Sequence, residues 1–427
     1  MEPTGIDGGR EWRTIMDQTV QIRRAVPFGE SIENTFGSTD RDQPIMHQND
    51  VWSTGLAYHL GIMSDQTVHA ANLLKLDYLV EARSLPSRCP IVDVHTHLSG
   101  KDAVRCYQEV AEAYGITLTY SMTPLEQVET VQSILGDRVR FIAVPDFAGE
   151  DRLHAHGEGF LDRIRSFHKL GSRIVKFWSA PRGADYGIES GHPGLLSLDS
   201  PQRLQAMDLA SELGMIFMTH VADPDTWFET KYADSDLYGT KRAQYEPLEK
   251  LLARYKQPWI AAHMGGWPED LAFLDGLLER HDNLHLDTSA TKWMVRVLST
   301  HSHEQLTAFL RRWKGRILFG SDIVTREEHM APVDRLPTDP EPQASSPAEA
   351  FDLYASRYWA LRTLWEGNYE GPSPIADPDL EMVEPERFGP LDSPRLAGKR
   401  IPDELLESLY HDAAVTLLAP DRDMARS

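Results

Sequence analysis

From residue 91 onward the chain alternates short apolar runs with longer amphipathic segments. The runs are IVDVH from 91, ITLTYS from 116, VRFIAVPD from 139, RIVKFW from 173, MIFMTH from 215, PWIAAH from 258, NLHLDTS from 283 and RILFGSD from 316. Between them, PLEQVETVQSIL, SPQRLQAMDLASEL, EPLEKLLARY, PEDLAFLDGLLERH and HEQLTAFLRRW place apolar residues three and four apart, the spacing of a helix with one buried face. Strands alternating with helices predict right-handed crossovers and a parallel sheet. Eight such units between Ile91 and Asp322 fit the ~250 residues of an α/β fold of the closed (β/α)8 TIM-barrel type. A doubly wound open sheet is the competing arrangement, but the first strand-to-helix turn, HTHLSGKDA, lacks the Gly-rich dinucleotide fingerprint.

The flanks read differently, and the expected division is an N-terminal extension over 1–90, a barrel over 91–330 and a C-terminal helical extension over 331–427. In the first, Trp12, Ile15, Met16 and Val26 recur at loosely helical spacing, and TVHAANLLKLDYLVEA predicts a firmer helix over 67–82. In the last, a Pro-rich stretch over 332–350 precedes a helix whose Phe351, Tyr354, Tyr358, Leu361 and Trp365 make one apolar face. A second Pro-rich stretch, 372–402, leads into PDELLESLYHDAAVTLL, a closing helix. Both helices carry too much apolar surface to stay in water, so they are expected to pack on the barrel or on another subunit, and a homodimer is the expected assembly.

Composition narrows the partners. Hydrophobic residues make up 41% and charged residues 25% of 427, an ordinary globular balance. Lys and Arg total 43 against 65 Asp and Glu, a net charge of -22, which argues against nucleic acid and anionic membrane and leaves a small-molecule substrate. Two cysteines, Cys89 and Cys106, make neither a disulfide framework nor a thiolate zinc site and fit a reducing cytoplasm. MEPTGIDGGREWRT carries no basic-then-apolar signal, and no apolar stretch approaches the ~18 residues of a membrane span. A cytoplasmic location is expected.

The chemistry begins in IVDVHTHLSG. In a strand, Asp93, His95 and His97 would share one face, and three polar groups on the inner face of an apolar strand cost free energy unless they have partners. A metal ion is one such partner, since neutral imidazole is its commonest protein ligand. The chain holds two further HxH pairs, His154 with His156 and His301 with His303, but both sit among polar and charged residues and read as solvated loop or helix-start histidines. The first pair differs because other strands end in matching groups: His220 on strand five, His263 on strand six and Asp322 on strand eight. Barrel sites lie at these C-terminal strand ends. His95, His97, His220 and Asp322 would hold one divalent ion, Zn2+ foremost with Mn2+ or Fe2+ as alternatives, leaving a position for water or substrate. Such an ion activates water or polarises a carbonyl. His263, with Asp322 beside it, would handle the proton, and Asp93 would orient the histidine pair from behind.

DxHxH on strand one, His on strands five and six and Asp on strand eight together resemble the amidohydrolase superfamily, and more narrowly its branch containing the aminocarboxymuconate-semialdehyde and γ-resorcylate decarboxylases and related lactonases and hydrolases. The resemblance spans 91–322. It implies one metal, the roles just assigned, and water activation by the strand-six histidine. The closing helix is similar to the family's, with Asp412 and Ala413 where a Gly-Asn pair is usual. Members commonly begin close to strand one, whereas ninety residues precede it here. Two-metal amidohydrolases carry a carboxylated lysine on strand four that bridges the ions. Lys176 on strand four here is read as a ligand for a substrate carboxylate or as a buried lysine paired with a barrel acid, ahead of that bridge.

Loops carry the substrate preference. VADPDTWFETKYADSDLYGTKRAQ after strand five offers Trp227, Phe228 and Tyr232 as pocket walls, or else simply covers the barrel. Gly265 and Gly266 after His263 permit a ligand's close approach or a tight turn. Thr288, Lys292 and Trp293 follow strand seven, and Arg326 follows Asp322. Lys292 and Arg326, with Arg182, suggest an anionic substrate, although each alone is more often a surface charge. The leading expectation is a metal-dependent hydrolase opening a C–N or C–O bond in a small organic substrate. The same residues suit a non-oxidative, metal-dependent decarboxylase of an aromatic or enoic acid. A third possibility is a non-catalytic barrel acting as a binding module, against which the intact set of site residues speaks.

Overall fold

A computed structural model describes residues 69–332 and 343–418. One sheet contains β1 (Ile91–His97), β2 (Ile116–Ser121), β3 (Val139–Ala143), β4 (Ile174–Trp178), β5 (Ile216–His220), β6 (Trp259–Ala261), β7 (Leu284–Asp287), β8 (Ile317–Leu318) and β9 (Ile323–Val324). From β1 to β8 neighbours succeed one another in chain order, and the pairings are parallel. β8 pairs with β7 while β9 pairs with β1, so a single run of chain joins the two edges and closes the ring. Along this seam Val94 N donates to Phe319 O at 3.0 Å and Asp322 N donates to His95 O at 2.8 Å. The alternation therefore does fold as a (β/α)8 barrel. Its eighth run is two short strands rather than one, because the chain turns at Asp322, where φ is 62°.

The strands form because they can be buried on both faces. β4 and β5 are buried through their first four residues, as expected of parallel strands sandwiched between helices and barrel interior. On the outer side Phe177, Phe217 and Trp259 pack edge-on, with centroids 5.6 and 4.8 Å apart. Several of the helices start on side-chain caps. Ser200 accepts from Arg203 N with Pro201 in the first position, and Ser302 and Gln305 complete a reciprocal capping box.

The helix expected over 67–82 starts later, at Tyr78, and runs to Ser84. Asn72 explains the delay: its side chain donates to Leu76 O at 2.9 Å and accepts from Leu76 N at 2.8 Å, closing a turn that competes with helix. Lys75 then adopts φ 54°, and Asp77 caps the helix beginning at Tyr78. Residues 67 and 68, and the helical pattern around Trp12, lie outside the described residues, as do 333–342 and 419–427.

The helix Pro347–Glu366 is buried almost all round and packs against Lys101–Ala113 and Tyr78–Ser84. Arg362 and Glu366, both buried, pair within it at 2.6 and 3.0 Å. The closing helix is interrupted by a π turn at Ser408–Asp412, where Leu409 O accepts from Phe319 N at 3.0 Å and so ties the C-terminal segment to the barrel seam. β10 (Glu370–Pro372) and β11 (Arg395–Ala397) add a small antiparallel pair. Among the described residues no helix is long and apolar enough to cross a membrane.

Candidate metal centre

Strict alternation would send Asp93, His95 and His97 to one face, but the β1–β2 register slips between Asp93 and Thr96. Such a bulge breaks the two-residue period and re-aims the side chains beyond it. Asp93 accordingly finds partners on the helix side: Tyr358 OH donates to it at 2.8 Å and Ser321 Oγ at 2.6 Å, while His95 N and Ser321 N donate at 3.1 Å each. Asp93 thus reaches the histidine pair through His95's peptide N–H. His95 itself faces the ends of β7 and β8.

Three donor atoms converge at the barrel mouth. His95 Nε2 and His97 Nε2 each lie 3.3 Å from the same Asp322 oxygen, Oδ1, and ligand atoms of the three residues fall within 4.8 Å of one another. Lys176 Nζ approaches His95 Nε2 at 3.4 Å. Lys176, His95 and Asp322 are buried, and His97 is half-buried.

Behind His95 stands Asp287, which closes β7. Its Oδ2 faces His95 Nδ1 at 2.8 Å, and its Oδ1 accepts from His263 N at 2.9 Å, Ser289 N at 3.1 Å and Ser289 Oγ. Because Ser289 gives its proton to Asp287, its oxygen is left to accept from His263 Nδ1 at 2.8 Å. These partners assign both imidazoles the Nδ1–H tautomer and leave Nε2 with a lone pair. His95, His263 and Asp287 also form a compact trio, but the carboxylate's bonds make it the support of the two rings. A nitrogen, nitrogen and carboxylate donor set of this kind suits zinc, manganese or iron(II). His95 Nε2, with its lone pair, and His97 Nε2 both face one carboxylate oxygen of Asp322, a donor set that a divalent ion would fit.

Burial, reinforced by Lys176, His97 and His220, holds His95 well below the ordinary histidine range. Burial, with His220, His95 and Lys176, does the same for His263 against the opposing pull of Asp287. Both rings are therefore neutral near pH 7, the form that ligates or accepts a proton. Burial also lowers Lys176 to about 8, partly offset by Asp287 and Asp322. Burial raises Asp93 to about 7 against the hydrogen bonds from Ser321, His95 and Tyr358.

His220 ends β5 with its ring 4.5 Å from that of His263. Its Nε2 pairs with Asp223 at 2.8 Å, and the other Asp223 oxygen accepts from Tyr232 OH at 2.7 Å. The structure does not gather His220 into the compact group of His95, His97 and Asp322. Burial pushes Asp223 up, but His220 and the bonds from His220 and Tyr232 outweigh it and hold the carboxyl below its usual range.

Backbone strain collects here. His263, Met264, Ala290 and Asp322 adopt φ of 58°, 52°, 67° and 62°, the left-handed region that costs a non-glycine residue of order 1–3 kcal/mol and recurs at functional sites. Gly266, at φ 86°, has a further reason to be glycine, since a Cβ there would stand 2.8 Å from Ala222 O.

The remaining sequence candidates have other partners in this structure. Trp227 is buried and donates Nε1 to Asp379 at 2.9 Å, so its indole ties the loop to the C-terminal segment. Lys241 pins the same loop through Asp225 at 2.6 Å and Glu269 at 3.3 Å. Arg182, Lys292 and Arg326 are half-buried; their charges act on Tyr232, Asp377 and His329 respectively. A cleft of about 340 Å³ lies beside the ends of β4 and β5, lined by Ser179, Leu196, Val221, Leu237 and Tyr238 among others. Of the other HxH pairs, His156 departs from the solvated reading: it is buried against Phe147 and Tyr186, with Tyr186 OH 3.1 Å from Nε2. Asp287, Ser289, Asp223, Ser321 and Tyr358 escape sequence reasoning. Asp287 had a signal, since in NLHLDTS it follows an apolar run at a strand end just as His220 and His263 do.

No family model and no curated protein matches the chain. Among solved structures it is similar to an amidohydrolase from Burkholderia multivorans with bound zinc, at 10% identity over 78% of this chain and 100% of that one, with a TM-score of 0.41. It is also similar to a probable 2-pyrone-4,6-dicarboxylic acid hydrolase from Acinetobacter baumannii, at 12% identity over 69% and 99%, TM-score 0.36. A 5-carboxyvanillate decarboxylase from Novosphingobium aromaticivorans complexed with manganese gives 11% identity over 64% and 93%, TM-score 0.33. At similarities this low, function has to be argued from the side chains themselves.

Proposed function

We propose that the protein is a metal-dependent enzyme acting on a small anionic organic substrate and, more narrowly, a hydrolase of a C–N or C–O bond. The observation that carries this is the meeting of His95 Nε2 and His97 Nε2 on one oxygen of Asp322, each at 3.3 Å. The ligand set is His95, His97 and Asp322 with His220, whose Nε2 is given to Asp223 in this structure. Zn2+ is the first choice and Mn2+ or Fe2+ the alternatives. A divalent ion bound there would polarise a carbonyl and make water a better nucleophile.

The chain's own residues supply the rest. His263 is neutral, with its Nδ1–H held by Ser289, and offers Nε2 to take a proton from the attacking water and return it to the leaving group. Asp287 keeps the His95 ring in the tautomer this needs directly, and the His263 ring through Ser289. Lys176, Arg182, Lys292 and Arg326 are the cations assigned to an anionic substrate, and Trp227 belongs to the loop that covers it.

The test is a panel of lactones, amides and aromatic carboxylic acids offered to the zinc-loaded protein. Hydrolysis without CO2 supports the proposal. Release of CO2 from an aromatic or enoic acid makes the same centre a decarboxylase, and no turnover of any class overturns the enzymatic reading.

A further inference from the structure

We infer that Tyr358, on a helix outside the eight βα units, is a positioning residue of the metal centre, acting through the carboxylate that holds the bulge in β1. This rests on the metal reading above and adds to it a part of the chain that contributes no ligand.

The bulge lies between Asp93 and Thr96, so it contains the peptide of His95, and bulges of this kind set where the next side chain aims. Asp93 braces it. One oxygen accepts from His95 N and Ser321 N, both at 3.1 Å, and thereby ties a proposed ligand on β1 to the residue preceding Asp322 across the seam. The other oxygen accepts from Ser321 Oγ at 2.6 Å and Tyr358 OH at 2.8 Å. Tyr358 is itself held by Tyr107 OH at 2.9 Å and by Phe319, stacked at 6.5 Å. Asp93 and Tyr358 are each 0% exposed and Ser321 is 1% exposed, so bulk water cannot take the place of a missing donor. Without the Tyr358 hydroxyl, that carboxylate oxygen keeps Ser321 alone, and the plane of the carboxylate, with the bulge it supports, is no longer fixed from the helix side.

The test uses the full-length protein. Zinc affinity is measured by competition with a chromophoric chelator in the wild type, Tyr358→Phe and Tyr78→Phe. Tyr78→Phe also deletes a buried hydroxyl, one that donates to Ala71 O at 2.8 Å, but it has no bond to Asp93. Tyr358→Phe should weaken zinc binding by about tenfold or more, as loss of a partner behind a ligand does, while Tyr78→Phe leaves the affinity unchanged. In an Asp93→Asn background the Tyr358→Phe change should add nothing. Should Tyr358→Phe not fold, Ser321→Ala removes the other donor to the same oxygen and carries the same expectation. Wild-type affinity in Tyr358→Phe overturns the inference even if thermal stability falls, as does an additive loss in the Asp93→Asn background. A wild type that takes up no zinc overturns the metal reading itself, and the inference falls with it.

Discussion

Asp287→Asn separates the metal centre from the fold that carries it. Three of the four bonds to Asp287 go to Oδ1, from His263 N, Ser289 N and Ser289 Oγ. An asparagine keeps that oxygen in place and puts its amide where Oδ2 now faces His95 Nδ1 at 2.8 Å. The amide donates, so His95 Nδ1 must accept and its proton moves to Nε2. That proton would point at Asp322 Oδ1, 3.3 Å away, which satisfies both groups and removes the lone pair a metal needs. The expected result is a folded protein whose melting temperature without metal changes little and whose zinc affinity falls about 10- to 100-fold. Asp287→Ala gives the contrast. It strands His263 N and Ser289 N in a buried site at about 1–3 kcal/mol each and leaves His95 Nδ1 only Ser289 Oγ, at 3.1 Å, a loss that is a sizeable part of the ~5–15 kcal/mol that holds a domain together. Zinc titration of each variant, run beside thermal unfolding, reads the difference. An Asp287→Asn protein that binds zinc like the wild type, or loses it only by unfolding, would refute the tautomer argument.

The same geometry makes three further predictions. His263→Asn should abolish turnover and leave metal content largely intact; loss of the metal would make His263 a ligand. His156 is lowered by burial, with Arg203 and Arg152, to about 3, against about 6.5 when unfolded. Between those values the unfolded chain binds the proton and the folded one does not. Stability should therefore fall as pH drops below ~6.5, by about 2 kcal/mol at pH 5, and His156→Gln should remove that part of the slope in urea unfolding. Identical pH dependence in the two proteins would contradict it. Arg296 joins the barrel to the C-terminal segment through Asp377 and, at 2.9 Å, Asp379. Arg296→Met removes the ion-pair partner of two buried carboxylates, leaving them the charge of Lys292 and the Trp227 N–H, and should cost about 3 kcal/mol in the unfolding free energy; a loss below about 1 kcal/mol, the size of a surface pair, would count against that tie.

The barrel is legible in the sequence because parallel strands buried on both faces must be short and apolar, and the helices over them must carry a stripe. The strand ends are legible for the same reason: a histidine or aspartate after such a run has nowhere to go but the mouth. The features that escape are non-local or break the period. The bulge in β1 sends Asp93 toward the helix layer although the residue count puts it beside His95. The turn at Asp322 splits the eighth strand. Asp287 carries the signal of a strand-end acid, but its role depends on a histidine 192 residues away. Tyr358 looks like one more apolar residue on a helix face, and only the fold puts its hydroxyl on Asp93. His156 shows the converse: polar sequence neighbours suggest solvent, while Phe147 and Tyr186, brought in from other elements, bury it.

The most direct test is the metal content of the purified protein, measured by atomic emission for the wild type and His97→Ala after dialysis against metal-free buffer. A centre built on His95, His97 and Asp322 predicts about one equivalent of divalent metal in the wild type and far less in His97→Ala. A wild type with well under one equivalent, unchanged by His97→Ala, would contradict it.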